Sequence, residues 1–287
     1  MSTAYGFAST PATHHALLAR VEEAGLNASA PPQQLLYDGW LLRFSPGKAK
    51  RARCVNALAA GHLPLQEKLD YVRQLFAQHK LPAIIRITPF AQPAGLDAQL
   101  AAQGWQQFED TRVMTADLAG LQGSQGDSAV SMRLLGPNAL ETRINSALAT
   151  FKLERPTVTA FADIVGTLRG SPAEQRRAHA QRLAASPVPF EPFALNDARG
   201  VAVACGQIAR EGTLVGVYDV FVREDARGKG IAAALTAAML RHAIAQGART
   251  AYLQVDANNT AARSVYTKLG FADAYGYWYR AIDPDVS

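Results

Sequence analysis

The sequence predicts an α/β protein of two domains, and three observations carry that expectation. The chain has 287 residues, about twice the commonest domain size of roughly 100–150. Short apolar runs of strand character alternate with helix-periodic segments through both halves. Between the halves, AGLQGSQGDS (residues 119–128) has the Gly, Ser and Gln content of a linker and no periodicity. The expected division is residues 1–119, a linker at 120–128, and residues 129–287.

The elements follow in order. WLLRF (Trp40–Phe44) and RCVNAL (Arg53–Leu58) read as strands around the turn-rich, basic SPGKAKR. The basic stretch GKAKRAR (Gly47–Arg53) is expected to be a solvated hairpin tip; a vestigial phosphate site and a lid over substrate are the alternatives. Leu69, Val72, Leu75 and Phe76 fall at helical spacing within Gln66–Lys80. AIIRIT (Ala83–Thr88) is a strand, Leu96–Gln103 a helix stopped by Gly104, and RVMTADL a closing strand. Past the linker come a strand (SMRLL), a helix at Ala139–Phe151, and a mostly helical stretch to Ala185. There Arg176, Arg177 and Arg182 are assigned to a solvated face. SPVPFEP ends helicity, and three strands follow, in FEPFAL, VAVACGQIA and TLVGVYDVFV.

Composition narrows the function classes. Apolar residues are 48% and charged ones 18%, which is ordinary globular composition. No run approaches the roughly 18 apolar residues of a spanning helix, and MSTAYGFASTPATHH lacks the basic-then-apolar pattern of a secretory signal. No membrane partner is expected. Cys54 and Cys205 stand far apart in apolar settings, which argues for neither a disulfide framework nor a metal knuckle and fits a reducing cytoplasm. Cys205 reads as core packing. His14-His15 reads as a solvated turn, and no histidine pair has the i, i+4 spacing with an acid that zinc needs; no metal is expected. A net charge of +5 without a long basic run excludes nucleic acid and leaves small phosphate-bearing molecules.

The stretch VREDARGKGIAAAL (Val222–Leu235) points to one of these. A strand ends at Val222, and after a charged turn a helix runs from about Gly230 to Gln246, stopped by Gly247. Ile231, Leu235, Ala238 and His242 share one helical face. Gly228 and Gly230 thus precede a helix N-terminus, where free N–H groups and the dipole favour an anion. Glycine has no Cβ to keep a phosphate from those donors, and Arg227 and Lys229 add positive charge. No Walker string G-x-x-x-x-G-K-[ST] occurs. Gly228–Ala233 matches the dinucleotide pattern G-x-G-x-x-G/A literally, but five residues separate it from its strand. About thirty residues remain after Asp256, too few for a dinucleotide domain.

Arg227, Gly230 and Ala232 also fit R/Q-x-x-G-x-G/A, and this resembles the acetyl-CoA pyrophosphate loop of the GNAT acetyltransferase superfamily. Downstream, TAYLQVDANNTAARSVYTKLGFADAYGYWYR is similar to that family's next strand, helix and final strand. Asn259, Ala262, Tyr266, Lys268, Gly270 and Phe271 match its N-x-x-A-x-x-x-Y-x-K-x-G-F signature. The resemblance covers Ala129–Ser287. It implies a GNAT acyl-CoA N-acyltransferase fold with a mixed sheet, acetyl-CoA as cosubstrate and an amine as acceptor.

By the same resemblance, Arg227, Gly228, Lys229, Gly230, Ile231 and Ala232 hold the pyrophosphate. The backbone of Val220, Phe221 and Val222 pairs with pantetheine, while Asn259 and Ala262 border the cofactor. Strands four and five of the domain are expected to splay around the pantetheine. Tyr266 is implied as the acid that protonates the departing thiolate; the alternative is a core tyrosine with a satisfied hydroxyl. Asp219 is the candidate for general base or ammonium anchor, with a structural carboxylate and deprotonation through water as alternatives. By strand alternation Tyr218 and Asp219 point to opposite faces.

In the N-terminal half, LDAQLAAQGWQQFEDTRVM resembles the ending of such a domain, and DGWLLRF with its basic loop the front of tandem-type members. No R/Q-x-x-G-x-G/A precedes that ending, which implies a degenerate GNAT-like domain that completes the acceptor pocket or supplies an interface. The whole is expected to be a cytoplasmic N-acetyltransferase, monomeric or homodimeric. A non-catalytic acyl-CoA-binding regulator is the rival reading.

Overall fold

The computed structural model describes residues 11–45, 47, 49–119 and 139–284; the expected strand SMRLL and the linker at 120–128 lie outside them. The first half contributes helix α1 (Pro11–Ala28), strands β1 (Gln33–Tyr37), β2 (Trp40–Phe44) and β3 (Val55–Ala57), and helix α2 (Leu65–Gln78). Then come β4 (Ile85–Ile87), α3 (Leu96–Ala102) and β5 (Gln106–Asp117). The second half opens with α4 (Ala139–Thr150), a short strand β6 (Lys152–Glu154) within the stretch read as helical, α5 (Val158–Leu168) and α6 (Ala173–Ala184). It continues through β7 (Phe190–Asn196), β8 (Ala202–Glu211), β9 (Leu214–Val222), α7 (Ile231–Ala245), β10 (Thr250–Asp256), α8 (Thr260–Lys268) and β11 (Ala272–Ala281).

Among the described residues these strands form one sheet in the order β1-β2-β3-β4-β11-β5-β10-β9-β8-β7-β6. At its centre the last strand of each half has crossed over. β5 pairs with β10 of the second half, and β11 lies between β4 and β5. The two halves therefore share one continuous sheet.

Helices cover both faces, which is why WLLRF is buried at all five positions. On one face, α7 packs on Leu253 and Val255 of β10 and Val215 and Val217 of β9, joined by Ile144 of α4. On the same face of the first half, Leu69 and Phe76 of α2 and Leu100 of α3 meet Trp40, Ile85 and Trp105. The opposite face carries Val21 and Ala24 of α1 against Tyr252, Tyr275 and Tyr277, and Phe161 and Leu183 of the α5–α6 pair against Cys205. The sheet thus has an α7 face and an α1 face.

Candidate active site

At the end of β9, Gly228 and Gly230 take φ of 78° and 77°, the left-handed region where glycine carries no Cβ penalty. Gly230 is the N-cap of α7. Among the described residues the amides from Gly228 to Ala233 donate to no acceptor, four of them, Gly230 to Ala233, as helix geometry requires. Arg227 Nε donates to the Val222 carbonyl at 3.2 Å and Lys229 Nζ to that of Asp225 at 3.3 Å. Those bonds hold both cations beside the free amides. An array of unspent N–H donors, two glycines and two cations fits a pyrophosphate.

Next to this cradle the sheet forks. β9 and β10 run parallel and pair only from Leu214↔Thr250 to Val217↔Leu253. Beyond that point β10 follows β5 as far as Asp256, while β9 follows β8 to Val222. The edge of Tyr218–Val222 that would face β10 is left without a strand.

The register of β8 with β9 jumps from Gln207↔Tyr218 to Cys205↔Phe221, and Asp219 has φ 51°. This is a β-bulge, in which one extra residue shifts the pleat. The alternation expected for Tyr218 and Asp219 therefore fails. Val217 and Val220 both pack on the α7 face, whereas Tyr218 joins the cluster beneath α5 and α6 and Asp219 bonds groups from those helices. At the fork the hydroxyls of Tyr218 and Tyr252 lie 2.8 Å apart. A Cβ on Gly216 would come within 2.4 Å of the Tyr218 ring and 2.6 Å of that of Tyr252, so only glycine lets both rings lie there.

Asp219 is held on several sides. Arg169, just past α5, donates to Oδ1 at 3.1 Å and Gln207 Nε2 to Oδ2 at 2.8 Å, with His179 Nε2 of α6 3.5 Å away. Burial works against the charge, but His179 and Arg169 outweigh it and hold the carboxyl well below the usual carboxylate range. A group so held is a fixed anion and a poor proton acceptor. Arg182, assigned above to a solvated face, is instead half-buried beside it. The α5–α6 pair folds back over the sheet and turns that side of α6 inward. Arg177 is exposed, as expected, and Arg176 donates to Thr167 Oγ1 at 2.8 Å.

On the α7 face, Asn259 caps α8 by accepting from the Ala262 N–H at 3.1 Å, and Gly270 has φ 87°. Tyr266 between them is half-buried, its ring 6.0 Å from that of Phe271 and edge-on. Its hydroxyl has no hydrogen-bond partner among the described residues, and burial pushes its pKa up to about 12. Its O–H is spent on no other group among the described residues.

The basic loop is not a solvated tip. Ala52 and Arg53 are buried, Lys50 pairs with Glu109 at 2.8 Å, and Arg51 reaches across the halves to Gln254 Oε1. The exchanged strands bring β10 within reach of the β2–β3 connection. Arg51, Thr111, Gln254, Asp256 and Tyr277 line a cleft of about 270 Å³ on the α1 face. Sequence reasoning overlooked Gln254, although Tyr252, Gln254 and Asp256 alternate with Ala251, Leu253 and Val255, the mark of a strand with one polar face. It overlooked Arg169 and His179 as well, for which no local signal exists. Cys205 is buried and its thiol is pushed up to about 12 by that burial, which suits packing and not nucleophilic chemistry.

A mixed sheet that forks beside a glycine-capped helix, with a tyrosine-bearing helix alongside, defines a GNAT-type acyltransferase fold. Residues 172–271 match the model of the Acetyltransferase (GNAT) family, and the chain carries a domain of that family. It is 27% identical over 244 residues, 84% of its length and 89% of the relative's, to the uncharacterised N-acetyltransferase YobR of Bacillus subtilis (strain 168). A mycothiol acetyltransferase of Streptomyces avermitilis is 57% identical over 56 residues, which span 20% of this chain and 18% of that protein. Among solved structures, a GCN5-related N-acetyltransferase from Kribbella flavida superposes with a TM-score of 0.64 at 17% identity, covering 98% of this chain and 97% of that one.

Proposed function

We propose that the protein transfers an acetyl group from acetyl-CoA to an amine by direct attack on the thioester. One observation carries the reading. The fork between β9 and β10 opens beside a helix N-terminus whose amides have no acceptor among the described residues. The cradle from Arg227 to Ala232 would bind the pyrophosphate, and the free β9 edge at Val220, Phe221 and Val222 would pair with the pantetheine amides as an added strand does. Asn259 and Ala262 would border the same channel. Acetyl-CoA supplies an acyl group already activated as a thioester.

This chain's residues then do three things. An N–H of the β9 edge near Val220 stabilises the oxyanion. Tyr266 holds a proton for the departing sulfur. Asp219 serves as a fixed anion for the acceptor's ammonium form, and the amine loses its proton to water. The N-terminal half acts as a GNAT-like domain that has given up cofactor binding and closes the acceptor side. Two free, buried cysteines accord with a cytoplasmic setting. The names of the relatives, N-acetyltransferase and mycothiol acetyltransferase, support acetyl transfer.

The test is a pair of thermal melts with CoA and with NAD, followed by thiol release from acetyl-CoA with a panel of amines. CoA at about a hundred times its Kd should add roughly 2.7 kcal/mol to the unfolding free energy. Stabilisation by NAD alone would overturn the reading, and CoA binding with no thiol released by any amine would favour the regulator.

A further inference from the structure

The cleft on the α1 face holds one guanidinium, that of Arg51, which no carboxylate of its lining pairs directly among the described residues. Lys50 is matched by Glu109, and Asp256, exposed at the rim, accepts from the Asn258 N–H at 2.7 Å. Arg51 points into the cleft with five N–H donors. Among the described residues its one acceptor is Gln254 Oε1, which the Tyr277 hydroxyl shares at 2.9 Å. No carboxylate of those residues lies within ion-pair distance of it. Half-buried and facing the cleft without a directly paired carboxylate, this guanidinium keeps N–H donors available to an anionic ligand. Arg182 adds a second cation on that face, half-buried and without a hydrogen bond or ion pair among the described residues. The nearby carboxylate, Asp219, is already bonded to Arg169 and Gln207.

We infer that the acceptor carries an anionic group, a carboxylate or a phosphate, besides its amine, and that Arg51 from the N-terminal half binds that group. Arg51 has the planar fork that matches either anion in two parallel bonds. Gln254 and Tyr277 are positioning residues that aim it. The cleft volume of about 270 Å³ suits a small molecule. The inference rests on the acetyl-transfer reading and gives the first half a role in choosing the substrate.

The experiment compares amines that differ only in the anion: β-alanine with β-alaninamide, and phosphoethanolamine with ethanolamine. The wild type should acetylate the anionic member of at least one pair with kcat/KM about 10- to 100-fold higher, the worth of a charged hydrogen-bonded contact. The two pairs tell carboxylate from phosphate. Arg51→Gln should bring that ratio close to one, and Arg51→Lys, which keeps charge and loses the fork, should recover part of it. Calorimetric titration of the CoA-loaded protein with N-acetyl-β-alanine, N-acetylphosphoethanolamine and their neutral counterparts reads the same preference without turnover. Equal use or equal binding of charged and neutral probes, or a preference that survives Arg51→Gln, overturns the inference and leaves acetyl transfer standing. Failure of CoA to stabilise the protein, with no amine acetylated, overturns the acetyl-transfer reading itself.

Discussion

At the residue scale the two tyrosine environments differ. Tyr218 and Tyr252 satisfy each other at 2.8 Å, while the Tyr266 hydroxyl has no partner among the described residues. Tyr266→Phe should keep the packing against Phe271 and lower turnover by about 10²–10⁴-fold, the usual worth of a positioned acid. CoA affinity should hold, because the proton moves only as sulfur departs. A loss of stability of roughly 1 kcal/mol with turnover intact would identify a core tyrosine instead. Asp219 gives a pH prediction. Its folded-state pKa lies below the unfolded value of about 3.9. The stability it contributes is therefore complete above that value and is lost as pH falls through the folded pKa. Denaturant midpoints of wild type and Asp219→Asn should differ at neutral pH and converge only in strong acid. Convergence near neutrality would mean the carboxylate is not held by Arg169 and His179 as seen.

At the element scale, the strand–turn–helix at the cradle was legible almost to the residue. β9 ends at Val222, and α7 is capped by Gly230 and Gln246. Each boundary depends on a local rule that a sequence displays. Gly230→Val tests the cradle directly. A branched side chain at φ 77° costs about 1–3 kcal/mol and covers the free amides. Circular dichroism should remain native while CoA stabilisation disappears. Retained CoA binding with an intact spectrum would move the cofactor site elsewhere. The bulge at Asp219 was not legible, because alternation is the default for any strand and nothing local marks the extra residue. β6 escaped notice for a similar reason: three residues between helices carry no period.

At the scale of the whole molecule, the exchange of β5 and β11 makes each half depend on the other. β10 has β5 on one side, and β11 is held between β4 and β5. Residues 120–287 made alone should leave both strands with unpaired edges and should fail to unfold cooperatively, as followed by circular dichroism in urea. A cooperative transition matching that of the full chain would show the second half to be self-sufficient.

The sequence by itself determined the alternation of strands and helices, the glycine-bearing turn before α7 and the helix that carries Tyr266. Each depends on residues a few positions apart, where backbone sterics and helix geometry act locally. Only the tertiary structure decided that Arg51 meets Gln254 across 203 positions and that Asp219 lies among Arg169, His179 and Arg182. It also decided that the basic loop lines a cleft instead of meeting water. Those contacts arise from the order of strands in the shared sheet, which is selected by the burial of both of its faces and the pairing of its strand edges together. No short stretch of sequence displays that sum.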